Sequence, residues 1–217
     1  MEPYARVKQV ETINETGIIY EFFKRTIDIV GAVIGIILLS PIILITSIAI
    51  SLESKGGFIF AQDRVGLYGK VFKMYKFRSM VSNAEELLKD LKKKNEMSGP
   101  MFKMKNDPRI TKVGKFIRKT SIDELPQLFN VLRGDMSLVG PRPNLPREVT
   151  HFTTRQKRKL MVKPGLTCYW QVMGRNDIDF EDWMELDIKY IEERNLWIDI
   201  KLIIRTFFVL FGDKNAR

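Results

Sequence analysis

A chain of 217 residues with 45% hydrophobic and 29% charged side chains is long enough for one sizeable core and too apolar to be a disordered tail. Its formal net charge of +10 calls for a phosphate-bearing partner: nucleic acid, an anionic membrane surface or a nucleotide substrate. The single cysteine, Cys168, excludes an intrachain disulfide, and the single histidine, His151, excludes a zinc site or a nucleophile–base pair that needs a second imidazole, so chemistry falls to carboxylates and cations.

After an N-terminal segment, the run from Ile29 to Leu52 carries no charge. As a helix it extends about 36 Å, enough to cross a hydrocarbon core about 30 Å thick. The run is too long, starts too late and lacks a small-residue cleavage site, so it reads poorly as a cleaved signal peptide. Hydropathy alone reads as one spanning helix. Two features favour another path. Ser40-Pro41 stands at the centre; Pro41 has no N–H for the Ile37 carbonyl and crowds that turn, so a kink is expected, with Ser40 as a substitute donor. Each arm is then about 16 Å, half a bilayer. Lys24 and Arg25 precede the run while Lys55, Arg64 and Lys70 follow it, and this balance puts both ends in the cytoplasm.

Residues 58–66 and 70–80 read as strands around a turn at Gly66-Leu67-Tyr68-Gly69. Asn83 to Lys94 reads as a helix capped by Asn83, and Met97 to Pro108 as loop. Val113–Lys119 is basic and half apolar, in keeping with a helix. Asp123 to Leu132 is a short amphipathic helix ended by Gly134. SLVGPRPNLP is a loop held by three prolines, followed by a helix from about Arg147 to Leu160. KPGLTCYWQVMGRN reads as turn, strand, turn, and Phe180 to Arg194 as a helix. The tail from Leu196 to Phe211 carries Asp199, Lys201 and Arg205 and is too charged to span. It fits an amphipathic helix in the membrane interface whose charges reach toward water, or a core-packing helix.

RKTSIDELPQL is the most informative stretch. Adjacent carboxylates at a helix start have an ordinary explanation: Asp123 as N-cap, or Ser121 and Glu124 as a capping box. The cations Lys115, Arg118 and Lys119 just upstream favour a second one. A helix N-terminus beside cations receives phosphate; a carboxylate there is held ionised as a nucleophile must be; and its neighbour helps to hold a divalent cation. Lys76, Arg78 and Arg175 are further phosphate-binding candidates, each also explicable as a surface cation. Arg142 is wedged between Pro141 and Pro143, which fix its backbone for a bidentate contact. Asp187 lies on a helix and has an ion-pair explanation. No glycine-rich phosphate loop is present, so a kinase, P-loop or Rossmann reading has no support.

KRTIDIVGA…SPI, FAQDRVGLYGKVFKMYKFRSM, RKTSIDELPQLFNVLRGDMSLVGPRP, KPGLTCYWQVMGRN and the ELD…Y helix run in order from about Lys24 to Ile203. Together they resemble the bacterial sugar transferases, the monotopic polyprenol-phosphate phosphoglycosyl transferases. The resemblance implies an α/β fold, mostly helical with a small sheet: a segment 1–23, a re-entrant membrane helix 24–55 broken at Ser40 and Pro41, a cytoplasmic catalytic domain 56–195, and an interfacial helix and tail 196–217. It implies a catalytic dyad, Asp123 and Glu124, that also holds Mg²⁺, and substrate-binding roles for Lys76, Arg118, Arg142, Arg175 and Asp187. It further implies transfer of a sugar-1-phosphate, a hexose-1-phosphate by the look of the GLT…WQV…GR pattern, from a UDP-sugar to a polyprenol phosphate. UMP leaves, and a phosphosugar forms on Asp123. The expected partners are the two substrates and the bilayer of a bacterial inner membrane, with no nucleic acid; a homodimer is compatible with this. Cys168 stands where the family carries a small residue or glycine. Larger relatives carry an N-terminal multi-helix domain that the segment 1–23 does not accommodate, in keeping with a minimal member or a shortened chain. The rival reading is a membrane-anchored basic protein that binds nucleic acid or anionic lipid without catalysis. It explains the charge and the apolar run but not SIDELP or GPRP.

Overall fold

The computed structural model describes residues 17–91, 104, 106–173 and 179–212, without the side chains of 210–212. The segment expected before residue 17, most of the 97–108 loop, the end of the helix expected to reach Lys94, and Arg175 lie outside the described residues.

The first helix, α1, runs from Ile18 to Glu53 and is apolar nearly all round. Among the described residues it is the one helix long and apolar enough to cross a membrane. A narrow stripe, including Asp28, Ala32, Thr46 and Ile50, is buried against the rest of the chain. Glycine makes the close approach feasible: a Cβ on Gly31 would stand 2.6 Å from Leu138 Cδ1. The break implied at Ser40-Pro41 is not an interruption, because Pro41 lies inside the helix. The Ser40 hydroxyl donates to the Ile37 carbonyl at 2.8 Å, replacing the amide that proline lacks.

A hairpin follows, β1 (Ile59–Val65) antiparallel to β2 (Val71–Phe77), with Phe60 opposite Lys76. Next come α2 (Ala84–Leu91), α3 (Lys112–Lys119), a single 3-10 turn at Ile122–Glu124, and α4 (Gln127–Arg133). β3 (Ser137–Val139) and β4 (Gly165–Thr167) pair in parallel. Between them lie α5 (Pro146–Val149), α6 (Thr154–Lys157) and a 3-10 turn at Arg158–Met161. The chain closes with α7 (Tyr169–Met173), α8 (Phe180–Glu193) and α9 (Leu196–Gly212). The described residues are therefore mostly helical, with two two-stranded sheets.

Several local expectations change. SLV is a strand, not part of the proline loop, because it finds a partner far along the chain: Ser137 pairs with Gly165. The two segments touch at glycines, and a Cβ on Gly165 would lie 2.0 Å from the Gly140 nitrogen. The helix expected over Arg147–Leu160 is three short pieces. Phe152 turns into the core, and Thr153 starts a new helix with a capping box: its hydroxyl accepts from Gln156 N while Gln156 Oε1 accepts from Thr153 N. Residues after Cys168 form α7 where strand and turn were expected.

Both ends of α1 are fastened to the same body. At its start, Arg25 donates to the Val131 and Leu132 carbonyls at the end of α4, and the Asp28 carboxylate accepts from Ser137 Oγ and Leu138 N. At its finish, Glu53 accepts from the first-turn amides of Lys112 and Val113, while Arg78 donates to the Ser54 and Lys55 carbonyls. Asp199 corrects a further expectation. It does not reach for water but is 2% exposed, and it accepts from Tyr20, Lys24 and Tyr190 at 2.8–2.9 Å. Lys24 also donates to the Val139 carbonyl. This shared carboxylate joins α1, α8, α9 and β3, whereas Trp197, Ile204, Phe207 and Phe208 on α9 remain exposed.

Candidate active site

Asp123 and Glu124 sit in the 3-10 turn before α4, not in the first turn of an α-helix. The preceding Ser121 takes a left-handed backbone (φ 57°) and makes no side-chain cap bond, so the ordinary capping explanation of this dyad does not apply. Lys76 Nζ lies 2.6 Å from Glu124 Oε1 and 3.8 Å from Asp123 Oδ2, and Arg142 Nη1 lies 3.6 Å from Glu124 Oε1. Four residues singled out in the sequence, from three separate segments, thus meet at one point.

Each is held by its own support. Asn130, fully buried on α4, accepts from Tyr75 N at 2.9 Å and donates to the Lys73 carbonyl at 2.7 Å. It pins α4 along the free edge of β2 and so brings the dyad beside Lys76. The loop carrying Arg142 is clamped from both sides. Arg64 donates to the Pro143 carbonyl, Val65 N to the Asn144 carbonyl, Gly140 N to the Thr167 carbonyl and Gly165 N to the Pro141 carbonyl. The Arg142 guanidinium lies over Trp170, 5.3 Å from its ring centre. Asn130 and Arg64 were missed in the sequence. An asparagine amid the apolar residues of LFNVL was the available signal for the first, since a buried amide needs partners.

The electrostatics revise the expectation of a nucleophile simply held ionised. Burial pushes the Asp123 carboxyl above the usual carboxylate range; Lys76 opposes this, the neighbouring Glu124 adds to it, and Arg118 and Arg142 also oppose it. Burial also lowers Arg64, to about 10, with Arg142 next to it as the second cause. Arg118 is exposed on the last turn of α3 and acts on Asp123 through its charge. Arg78 is diverted to the end of α1. Asp187 is 0% exposed and bonded to Lys159 Nζ at 2.6 Å, which gives it the ion-pair partner also expected from its helix, in the core behind the Arg142 loop.

Among the described residues no group of three or more His, Cys, Asp or Glu is placed to hold a metal. Two adjacent carboxylates suit Mg²⁺ nonetheless, because that ion keeps several waters and binds through one or two carboxylates together with substrate phosphates. The arrangement as a whole is a carboxylate nucleophile candidate beside a second carboxylate, ringed by cations that suit a diphosphate.

The family model described as bacterial sugar transferase matches residues 19–213. The chain is 52% identical over 195 residues to the galactosyl transferase CpsE of Streptococcus agalactiae, covering 89% of this chain and 43% of that protein. It is 47% identical over 199 residues to the undecaprenyl-phosphate galactose phosphotransferase of Salmonella typhimurium, covering 90% and 42%. It is 35% identical over 187 residues to the exopolysaccharide production protein ExoY of Rhizobium meliloti, covering 84% and 83%. The chain therefore spans about two fifths of the length of the first two relatives and most of the third.

Proposed function

The chain belongs to the bacterial sugar transferase family, and from that premise we propose that it transfers a sugar-1-phosphate from a UDP-sugar to undecaprenyl phosphate. The observation that carries the reading is the meeting of Asp123, Glu124, Lys76 and Arg142 in one basic, half-buried site. A carboxylate oxygen of Asp123 attacks the β-phosphorus of the donor; the bond from that phosphorus to the bridging oxygen breaks, and UMP leaves with the electron pair. An oxygen of the lipid phosphate then attacks the phosphorus of the acyl phosphate, forming the diphosphate and returning Asp123 as carboxylate. Lys76 and Arg142 offset charge on the phosphoryl oxygens. Asp123 and Glu124 would hold Mg²⁺, which when bound neutralises part of the diphosphate charge.

Galactose-1-phosphate is the first sugar to test, since the Salmonella relative's name specifies galactose. Purified protein given Mg²⁺, undecaprenyl phosphate and UDP-galactose, UDP-glucose or UDP-N-acetylgalactosamine in turn is expected to release UMP, fastest with UDP-galactose. Absence of UMP with every donor would count against the transferase reading.

The chain enters and leaves the cytoplasmic leaflet of an inner membrane on one side. This is supported by the fastening of both ends of α1 to one body and by the Ser40-Pro41 position at the centre of the apolar run. Cysteines placed at Ile19 and Lys55, both exposed, are expected to react with a membrane-impermeant maleimide from the cytoplasmic side only; Cys168 is fully buried and stays silent. Labelling of the two positions from opposite sides would establish a spanning helix instead.

A further inference from the structure

Arg64, on β1, stands beside the Arg142 loop and spends little of its hydrogen-bonding capacity there. A guanidinium carries five N–H donors. Arg64 uses Nη1 on the Pro143 carbonyl at 3.1 Å and Nη2 on Gln62 Oε1 at 2.7 Å, both neutral acceptors. Its buried Nε finds no acceptor among the described residues. We propose that Arg64 binds the α-phosphate of the UDP-sugar, the phosphate that departs with UMP; the proposal rests on the transferase reading above.

Three observations carry it. The cation lacks a counter-charge: among the described residues Arg64 bonds to no carboxylate. The two carboxylates that act on it electrostatically, Glu148 and Glu124, are engaged elsewhere. Glu148 accepts from Asn144 Nδ2 and Leu145 N, and Glu124 from Lys76. Arg142 and Arg147 add positive charge beside it. A cation withdrawn from water without a partner is costly, and an anionic ligand offsets that cost. Although burial lowers its pKa to about 10, Arg64 is still a cation at neutral pH. The second observation is alignment. In the hairpin register Lys76 lies opposite Phe60 and Phe72 opposite Arg64, and Phe60 and Arg64 are four residues apart, so Arg64, Gln62 and Lys76 share one face. Lys76 meets the dyad at one end of that face, and Arg142, 3.6 Å from Glu124, is joined to the other end through the Pro143 carbonyl. A diphosphate with its β-phosphorus at Asp123 then has Lys76 and Arg142 on one phosphate and Arg64 on the next. The guanidinium fork suits this contact, since two parallel N–H groups match two phosphate oxygens. The third observation is direction. The Phe58–Arg78 end of the hairpin is fastened to the end of α1, whereas Arg64 lies toward the Gly66–Gly69 turn, away from that apolar helix end. A water-soluble nucleotide fits there better than a lipid.

UMP and uridine differ by the phosphate in question, and their equilibrium binding to the full chain in detergent needs no turnover. The parent is expected to bind UMP more tightly than uridine. Arg64→Met is expected to weaken UMP at least about tenfold and to leave uridine within about twofold. Its kcat/KM for undecaprenyl phosphate, which in a two-step displacement reports the second step alone, stays within about twofold of the parent. Arg64→Lys keeps a point charge without the planar fork and falls between parent and methionine variant. Equal losses for UMP and uridine would reduce Arg64 to a clamp on the Arg142 loop and overturn the proposal. A fall in kcat/KM for the acceptor with UMP binding unchanged gives the site to the lipid phosphate and overturns it too. An Arg64→Lys protein with the parent's preference for UMP over uridine overturns it even where the methionine variant fails to fold. All three results leave the transferase reading intact, whereas a parent that releases UMP from no donor and binds UMP no better than uridine overturns both.

Discussion

Asp123→Asn is expected to lower UMP release by a factor on the order of 10³ or more while the protein stays folded, because the amide keeps the shape of the turn and loses the nucleophile. With UDP-sugar and Mg²⁺ but no acceptor, the parent enzyme is expected to show a burst of about one UMP per active site and a phosphosugar mapped by mass spectrometry to Asp123. The variant shows neither. A burst that survives the substitution moves the nucleophile elsewhere. The raised carboxyl gives two signed consequences. Asp123 must be ionised to attack, and in the metal-free protein Lys76→Met, which removes the cation opposing the shift, raises its carboxyl further. In stability, a carboxyl raised on folding favours the native state below the unfolded pKa and loses that contribution as pH rises through the folded pKa. The asparagine variant therefore melts higher than the parent near neutral pH, and the difference closes toward pH 4. Equal melting at both pH values would contradict the burial of a charged Asp123.

Lys159→Met is expected to be the most damaging single change in the core. Lys159 and Asp187 have side chains 2% and 0% exposed, and they bond at 2.6 Å between α8 and the 3-10 turn before β4. Burial pushes Asp187 up and Lys159 pulls it down, so the pair stands only while both partners are present. Removing the lysine leaves a buried carboxyl without its counter-charge, at a cost of about 3–5 kcal/mol. Lys159→Met with Asp187→Leu is expected to recover much of that loss, since an apolar replacement for a whole buried pair is often near neutral in stability. The single and double variants are compared by denaturant or thermal unfolding in one detergent. Additive losses in the double variant would show that the two side chains act separately. Lys159 also lines the small cavity behind Pro141, Arg142 and Pro143, so the restored double variant reports on catalysis as well. A kcat reduced at normal stability identifies the pair as the support of the Arg142 loop.

The elements most legible in the sequence were those whose signal is local. The apolar run that became α1, the hairpin around Gly66–Gly69, the amphipathic α3 and the helices α8 and α9 follow from periodicity, turn residues and hydropathy, properties contained in a short window. The substitute hydrogen bond from Ser40 to Ile37 follows from the covalent structure of proline alone. The dyad and its cations were also legible as types, because paired carboxylates next to lysines and arginines restrict the chemistry wherever they are placed.

What the tertiary structure decided is everything that depends on a distant partner. A strand as short as SLV cannot be told from loop until Gly165, far along the chain, pairs with it. Asp187 and Asp199 look alike in the sequence to any carboxylate on an amphipathic helix. Only the fold shows that one is neutralised by Lys159 in the core and the other shared by Tyr20, Lys24 and Tyr190. Asn130 and Arg64 act through carbonyls remote in the chain, at Lys73 and Pro143, and no local pattern records such a bond. The state of Asp123 is of the same kind: the cation Arg118 just upstream favours the ion, whereas burial against the rest of the chain opposes it, and desolvation exists only once the chain has folded.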